Sequence, residues 1–374
     1  MIYRRDGAAA LILATLGALF VNVEPTVAAA MDQGFHLGTR GAGIVLSAES
    51  AGAIAGSLLA FAAVRTIGTR ATALYGLILY VLTNVTTLVV HSSVVLTIVR
   101  TCTGVAEGLV IAIAFALMAS ARTPHRLFGA FGMLQTGSAI GAFTLLAWLM
   151  HAFGWRAAFV VFAVAGVGAM LLLPSGATEI RATRAGSTID GATVRGLLSV
   201  LVFFTAQTAI WPFLEHFGAQ RGIGDFAIAG ALSFGALCGF IGSTVVTVLP
   251  ARFAGFATCA AAGALNILAI LALAFSNNGA AFVVALGLFN FTWATFAPLQ
   301  LSALRRLNIT PDKFTMASTA TTAGFALGPL IGGYAIHGNI YTVALGIGAA
   351  GTFLALALIA SPLQRVHDAA DGAV

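Results

Sequence analysis

Long apolar segments separated by short polar connections recur along the whole chain. Each is close to the ~20 residues that an α-helix needs to cross the hydrocarbon core of a bilayer. The pattern therefore predicts an all-α membrane protein with twelve transmembrane helices, here called spans 1 to 12. The predicted spans cover residues 8–30, 41–63, 72–90, 94–118, 128–150, 155–173, 194–215, 227–248, 256–275, 279–303, 314–336 and 340–361.

Composition excludes a soluble globular protein. Of the 374 residues, 59% are hydrophobic and only 8% are charged, whereas soluble domains are about 25% charged. Cys102, Cys238 and Cys259 all lie in apolar segments and form no C-x-x-C motif, so we expect neither a disulfide framework nor a metal site. We expect no cofactor, with a proton gradient as the energy source.

The basic residues predict the orientation of the spans. With a cytoplasmic N-terminus, 14 of the 18 basic residues fall in cytoplasmic segments, and only Arg40, Arg156 and Arg221 fall on the opposite side. This bias follows the positive-inside rule and indicates an even number of spans with both termini cytoplasmic. It also accounts for the net charge of +6 without a nucleic-acid partner. The expected partners are the lipid bilayer and a small-molecule substrate, with the chain acting as a monomer.

The chain divides into two similar halves. The longest polar stretch, residues 175–193, predicts a cytoplasmic linker between a six-helix bundle in residues 1–174 and another in residues 194–374. A shift of 187 residues superimposes several helix-breaking, small and basic residues of the two halves. A parallel repeat of this kind implies a pseudo-two-fold axis along the membrane normal and a site near mid-bilayer between the halves. The shift pairs Pro25 with Pro212, Arg65 with Arg252, Gly68 with Gly255, Pro124 with Pro311, Gly137 with Gly324 and Gly141 with Gly328.

Four charged residues lie well inside the ends of predicted spans, where a charge costs at least about 2.5 kcal/mol. At 1.5 Å per residue, Glu24 and Arg100 lie about 9 Å from the outer ends of spans 1 and 4, and Glu49 lies about 12 Å into span 2. We expect Glu24 and Glu49 to compete for Arg100. Glu107 lies about 10 Å deeper than Arg100 on nearly the same helix face, too far to pair with it directly.

These four residues are the predicted set for proton coupling or substrate binding. Burial favours the protonated form of a carboxylate and a nearby arginine favours the ionised form. A carboxylate that gains and loses its arginine as helices rock could therefore carry a proton. The alternatives are a buried ion pair that only fixes helix packing and, for Glu107, a place in the cytoplasmic vestibule.

Further residues are candidates for lining the cavity or shaping the helices. Buried amides also bridge helices, and tryptophan is also common at membrane interfaces, so those alternatives stay open. The cavity-lining candidates are Asn22, Gln207, Trp211, Asn290 and Trp293. The hinge candidates are Pro25 and Pro212, and the packing candidates are Gly104, Gly108, Gly137, Gly141, Gly324, Gly328 and Pro329.

Three motifs give the chain a family resemblance over essentially its whole length. Span 4 reads LTIVRTCTGVAEG, with Arg100, Gly104 and Gly108 in the pattern R-x-x-x-G-x-x-x-G. The 2–3 loop reads VRTIGTR, similar to a D-R-x-G-R-R motif but with Arg65 in the place of the aspartate. The third motif, GFALGPLIGG in span 11, follows G-x-x-x-G-P-x-x-G-G. In these features the chain resembles the major facilitator superfamily.

The resemblance implies twelve helices and transport by alternating access. It also implies that an acidic residue of span 1 and the arginine of span 4 serve proton coupling or the binding of an anionic substrate. The family places the proline-containing glycine motif in span 5 of its antiporters, whereas here it stands in span 11 and span 5 has only GSAIGA. The motifs therefore do not separate import from export.

Other function classes lack their residues. The chain contains no G-x-S-x-G, H-E-x-x-H or Walker motif, so we do not expect an enzyme. A channel is disfavoured because Glu49, Arg100 and Glu107 align with uncharged residues in the second half, and a non-transporting sensor lacks an extramembrane domain. We expect a secondary active transporter of a small organic solute, with a proton-antiport efflux pump for drugs or toxic metabolites as the alternative. The arginine-rich, lysine-poor composition is typical of a GC-rich bacterial genome. We therefore expect this helical membrane protein to lie in a bacterial inner membrane.

Overall fold

A computed structural model describes residues 4–121, 124–174, 191–248, 256–306, 311–337 and 340–371. All regular secondary structure in these residues is helical, apart from one isolated bridge between His337 and Ile340. The helices are α1 (Arg4–Asn22), α2 (Glu24–Phe35), α3 (Gly38–Ile67), α4 (Thr69–Thr87), α5 (Ser93–Ala119), α6 (Pro124–Phe153), α7 (Arg156–Met170), α8 (Gly191–Thr208), α9 (Leu214–Gln220), α10 (Asp225–Val248), α11 (Phe256–Ala274), α12 (Gly279–Arg306), α13 (Pro311–Ala335) and α14 (Thr342–Asp371), with a 3₁₀ turn at Trp211–Phe213.

These helices form one segment for each predicted span and confirm the all-α membrane architecture. Helices α1 and α2 together form span 1, and α8, the 3₁₀ turn and α9 form span 7. In the described part of the chain, eight helical segments are long and apolar enough to cross a membrane, and the bent α1–α2 pair makes nine. The other three segments are α4, α7 and α13: α7 has only 15 residues, and α4 has polar threonines and Asn84 among its buried residues.

The repeat of 187 residues governs the positions of the helices. Helix α4 spans Thr69–Thr87 and α11 spans Phe256–Ala274, so both ends of these helices obey the shift. The packing repeats as well: α3 packs on α5 as α10 packs on α12, and α4 packs on α7 as α11 packs on α14. The chain divides into two compact units, residues 1–182 and 183–374.

The boundary between these units falls within the polar stretch that the sequence assigns to a linker. Residues 175–190 of that stretch lie outside the described residues. Helix α8 begins at Gly191, three residues before the predicted start of the second bundle at residue 194. The first turn of α8 contains polar residues such as Thr193, so the apolar pattern does not include it. Thr193 is nevertheless buried.

Spans 1 and 7 are interrupted at their prolines. Helices α1 and α2 meet at an angle of 60°, and Pro25 occupies the first turn of α2. Pro212 stands at the start of the 3₁₀ turn between α8 and α9. Proline has no N–H for the hydrogen bond to the preceding turn and its ring clashes with that turn, so both spans break at the equivalent point of the repeat.

Glycines bring α3 and α5 into backbone contact. Gly52 and Gly56 of α3 lie against the backbone of α5, and Gly104 and Gly108 of α5 lie against the backbone of α3; these four residues form what we call the glycine interface. A Cβ atom at Gly104 would overlap the backbone carbonyl oxygen of Glu49, and one at Gly56 would overlap that of Val105. The small-residue pattern therefore allows these two membrane helices to approach at the level of their backbones.

Glycines also bring α8 and α13 of the second unit into close contact. A Cβ atom at Gly328 would overlap the hydroxyl of Thr208, and that hydroxyl donates a hydrogen bond to the carbonyl oxygen of Gly324 at 3.0 Å. Pro329 lies inside the continuous helix α13. The close packing predicted for Gly137 and Gly141, the equivalents of Gly324 and Gly328, is wrong, because no described atom lies within 4 Å of a Cβ built at either position.

Two arginines that the sequence places on the side opposite the cytoplasm cap equivalent helices. The Arg156 Nε donates to the carbonyl oxygen of Leu88 at 3.0 Å, at the end of α4. The Arg221 Nη2 donates to the carbonyl oxygen of Ala274 at 3.0 Å, at the end of α11. A cation at a helix C-terminus interacts favourably with the free carbonyl groups and the helix dipole, which gives these two exceptions to the charge bias a structural role.

The glycine interface generates a stability prediction. We expect Gly104→Ala to destabilise the protein by about 1–3 kcal/mol, since the added methyl group forces two helix backbones apart. Gly137→Ala is the matched control and should leave stability unchanged or slightly higher, because its Cβ meets open space and alanine favours the helix. Thermal unfolding of the purified protein in detergent micelles, followed by tryptophan fluorescence, measures both. Equal unfolding temperatures for the two variants would contradict the interface.

Candidate functional site

Arg100 on α5 is completely buried, and each of its three guanidinium nitrogens donates a hydrogen bond. Its Nε donates to Oε2 of Glu49 at 2.9 Å, and its Nη2 donates to Oε1 of the same carboxylate. Its Nη1 donates to Oδ1 of Asn84 on α4 at 3.1 Å. The two-pronged contact with Glu49 pairs the positive charge with a carboxylate in the geometry that a guanidinium favours.

Two aromatic rings cover the guanidinium. Its central carbon lies 5.5 Å from the ring centroid of Phe20 on α1 and 5.3 Å from that of Phe159 on α7. Cations are attracted to aromatic faces at such distances, and more strongly where water is excluded. One side chain of α5 thereby contacts residues from α1, α3, α4 and α7.

Glu24 is the carboxylate that Arg100 leaves unpaired. It is the first residue of α2, directly beside the break in span 1, and only 1% of its surface is exposed. Its Oε2 atom is buried without a hydrogen-bond partner, and the charge of Glu49 repels it. Of the two carboxylates expected to compete for Arg100, Glu49 therefore holds the arginine in this structure.

Glu107 is a second carboxylate with a free oxygen. It lies on α5, seven residues beyond Arg100, and is 4% exposed. Its Oε1 atom has no hydrogen-bond partner, and the charges that act on it are those of Glu49, Arg100 and Glu24. Glu107 is thus a buried carboxylate on the same helix as Arg100.

Glu24, Glu49, Arg100 and Glu107 form what we call the charge cluster. It combines three carboxylates with one guanidinium, so two carboxylates remain uncompensated when all four groups are charged. An ionised carboxylate is costly in a buried site without a partner. Binding a proton removes that cost, and the cluster therefore has the composition needed to take up and release protons.

The amide candidates bridge helices within their own units. Asn22 accepts a hydrogen bond from Nε2 of Gln135 at 3.0 Å, which joins α1 to α6. Gln207 is completely buried, and its Nε2 donates to Oδ1 of Asn266 at 3.1 Å and to the hydroxyl of Thr352 at 3.0 Å. Gln207 therefore ties α8 to α11 and α14.

The tryptophan candidates lie together in the second unit. The rings of Trp211 and Trp293 meet edge to face, with centroids 6.0 Å apart and planes inclined by 81°. Trp293 is half-buried. Asn290, one turn before it on α12, donates its amide to the carbonyl oxygen of Leu286 at 3.1 Å and lies against Gly235 of α10. The two tryptophan rings therefore pack on one another.

Sequence reasoning missed the contribution of span 3. Tyr80 and Asn84 are both buried, and Nδ2 of Asn84 donates to the carbonyl oxygen of Tyr80 at 2.8 Å. The sequence contained a signal for this pair, because Tyr80 and Asn84 are four residues apart and therefore share one face of a helix. Asn84 is also an amide inside an apolar span, which is the feature that made Asn22 a candidate. The aromatic cover of Phe20 and Phe159 carried no such signal, because phenylalanine is common in every span.

Two helical repeats, with a buried charge cluster in one of them, define a polytopic membrane carrier. The family model described as Major Facilitator Superfamily matches residues 9–308. The chain belongs to this superfamily, and it is a multi-pass membrane transporter and not an enzyme.

Named relatives and solved structures agree with this assignment. The chain is 26% identical over 369 residues to a protein named "Probable sugar efflux transporter" from Haemophilus influenzae strain PittGG, covering 93% of this chain and 91% of the relative. A relative of the same name from strain 86-028NP matches equally well over 90% of its length. The fold is similar to that of a bacterial homologue of the human lysosomal transporter Spinster, in inward-facing unoccupied form, with a TM-score of 0.72, 14% identity and coverage of 96% of this chain and 94% of that one. The occupied form of that homologue gives a TM-score of 0.66 at the same identity and coverage.

The geometry of the ion pair predicts a specific pattern in a double-mutant cycle. Arg100→Leu should destabilise the protein by about 3–5 kcal/mol, because it leaves the carboxylate of Glu49 buried without its partner. The double variant Arg100→Leu/Glu49→Leu should be more stable than Arg100→Leu alone, since no unpaired charge remains. Equilibrium unfolding of the purified variants in mixed detergent micelles measures the cycle. Additive losses for the two substitutions would show that the residues do not act as a pair.

Proposed function

We propose that this protein is a proton-coupled secondary transporter whose charge cluster carries the protons during alternating access. One observation carries the proposal: Glu24 and Glu107 are buried with free carboxylate oxygens while Arg100 is bound to Glu49 and Asn84. Two carboxylates without a cation in a water-poor site are the groups most favourably neutralised by protons.

The position of Glu24 supports a link between proton binding and helix movement. Glu24 lies between the end of α1 and Pro25, so a change in the angle between α1 and α2 moves its carboxylate relative to the Arg100–Glu49 pair. The ionised form of Glu24 is repelled by Glu49 and attracted by Arg100, whereas the protonated form feels neither strongly. The protonation state therefore biases which angle of span 1 is favoured.

Export of an uncharged, polar organic solute of the sugar class is the direction and substrate that we propose. The relatives named as probable sugar efflux transporters support export, a choice that the sequence motifs left open. The pairing of Arg100 with Glu49 supports a neutral solute over an anion, because the cation of the charge cluster already binds a carboxylate. In this proposal protons enter as the solute leaves, and the protein works as a monomer in a bacterial inner membrane.

Substitution of the two free carboxylates tests the coupling. The assay uses proteoliposomes loaded with a transported sugar. Glu24→Gln and Glu107→Gln should reduce proton-driven sugar movement to the level of protein-free liposomes, because an amide cannot bind and release the proton. Exchange of labelled for unlabelled sugar without a gradient should persist, since solute binding is retained. Asp225→Asn is the matched control, because it removes an exposed carboxylate at the start of α10 and should transport as wild type.

The substrate is identified by comparing sugar and metabolite pools in cells that express wild-type protein or Arg100→Ala. A compound depleted only by the wild type is an exported substrate, whereas one accumulated only by the wild type would reverse the proposed direction.

The coupling test has its own contradicting outcome. Unchanged transport rate and pH dependence in both Glu24→Gln and Glu107→Gln would make the charge cluster purely structural.

A further inference from the structure

Tyr80 has a buried hydroxyl group without a hydrogen-bond partner. Its side chain lies on α4 and only 2% of its surface is exposed, yet no described group bonds to the phenolic oxygen. Buried tyrosine hydroxyls are usually paired, because an unmatched polar group in the interior costs free energy. The proposed transport mechanism gives Tyr80 no role, so its position requires an explanation.

Tyr80 lies on the face of α4 that packs on α5. One turn away on α4, Asn84 accepts a hydrogen bond from Arg100 of α5, and one turn in the other direction Gly76 lies against Ala106 and Val110 of α5.

Glu107 exerts the strongest charge interaction on the hydroxyl of Tyr80, followed by Arg100 on the same helix α5 and by Glu49 on α3. The other helix packed on α4 is α7, where the ring of Tyr80 lies against Gly166. The arginine of α7, Arg156, binds the carbonyl group of Leu88 at the end of α4.

The backbone of Tyr80 is tied to the same cluster. Its carbonyl oxygen accepts the amide N–H of Asn84, and the amide oxygen of Asn84 accepts the N–H of Arg100. This chain of hydrogen bonds fixes one turn of α4 against the guanidinium. The phenol ring is therefore held beside α5 by its own backbone and by Gly166, whereas its hydroxyl remains free to take a new partner.

We propose that the Tyr80 hydroxyl donates a hydrogen bond to Glu107 when that carboxylate gives up its proton. Arg100 directs its hydrogen bonds to Glu49 and Asn84 in this structure. Tyr80 supplies a neutral donor in its place, and both the donor and the Glu107 Oε1 acceptor are unpaired in this structure. Tyr80 is thus a positioning residue that sets how readily Glu107 releases its proton, an inference that rests on the proposed function of the charge cluster.

Infrared titration of the purified protein in lipid nanodiscs tests the inference without a transported substrate. The carbonyl absorption of protonated carboxylic acids is followed against pH, and the contribution of Glu107 is the part that disappears in Glu107→Gln. In Tyr80→Phe the midpoint of this contribution should move to higher pH by about one unit, because the ionised form loses a hydrogen bond. The substitution removes only a hydroxyl that makes no bond in the folded structure, so folding should be retained.

Tyr75→Phe is the matched control, since Tyr75 lies on the same helix and is 59% exposed. It should titrate as wild type. The inference is overturned if Tyr80→Phe leaves the midpoint unchanged, or if Tyr75→Phe shifts it equally. A wild-type protein in which Glu107 does not titrate at all would instead remove Glu107 from the proposed proton site, and the inference about Tyr80 with it.

Discussion

An arginine inside a membrane helix bundle is tolerated only where other groups meet its charge and its N–H donors. The first unit meets this requirement for Arg100 through Glu49 and Asn84. The glycine interface is what makes the pairing with Glu49 possible, because Gly104 lies against the backbone of Glu49 itself. The close approach of α3 and α5 and the ion pair therefore depend on one another, and α1 and α7 supply the aromatic rings that cover the guanidinium.

The two repeats share their helix positions and differ in their interiors. The positions equivalent to Glu49, Arg100 and Glu107 hold small uncharged residues, and the second unit is instead joined by the amide network around Gln207. Under the repeat, Gln207 occupies the place of Phe20, the ring that covers Arg100. One scaffold thus holds a chargeable interior in the first unit, whereas the equivalent positions of the second unit are uncharged and its buried polar groups include an amide network.

Much of the fold follows from the sequence, because hydrophobic periodicity and the prolines fix where helices start and break. The depth of a residue in the membrane likewise follows from counting residues along its span. This count grouped Glu24, Glu49 and Arg100 at similar depth. Depth alone does not give the direction in which a side chain points around the helix, so it could not decide that Glu49 holds the arginine. Gly137 and Gly141 show the same limit: their spacing equals that of Gly324 and Gly328, but spacing does not reveal which helix face a neighbour covers. The contact of Asn84 with Arg100 joins residues of two different helices and depends on packing that no local pattern encodes.

The charge cluster has more carboxylates than guanidinium groups, so its net charge depends on how many protons it holds. That dependence determines how the membrane potential acts on the transporter. With Glu24 and Glu107 protonated the cluster is neutral, and with both ionised it carries two negative charges. Each elementary charge that crosses the membrane potential changes the free energy by about 2.3 kcal/mol per 100 mV. If protons enter through these residues while an uncharged solute leaves, every cycle moves net charge. The carrier would then be electrogenic, and the membrane voltage would drive it even where the pH is equal on both sides.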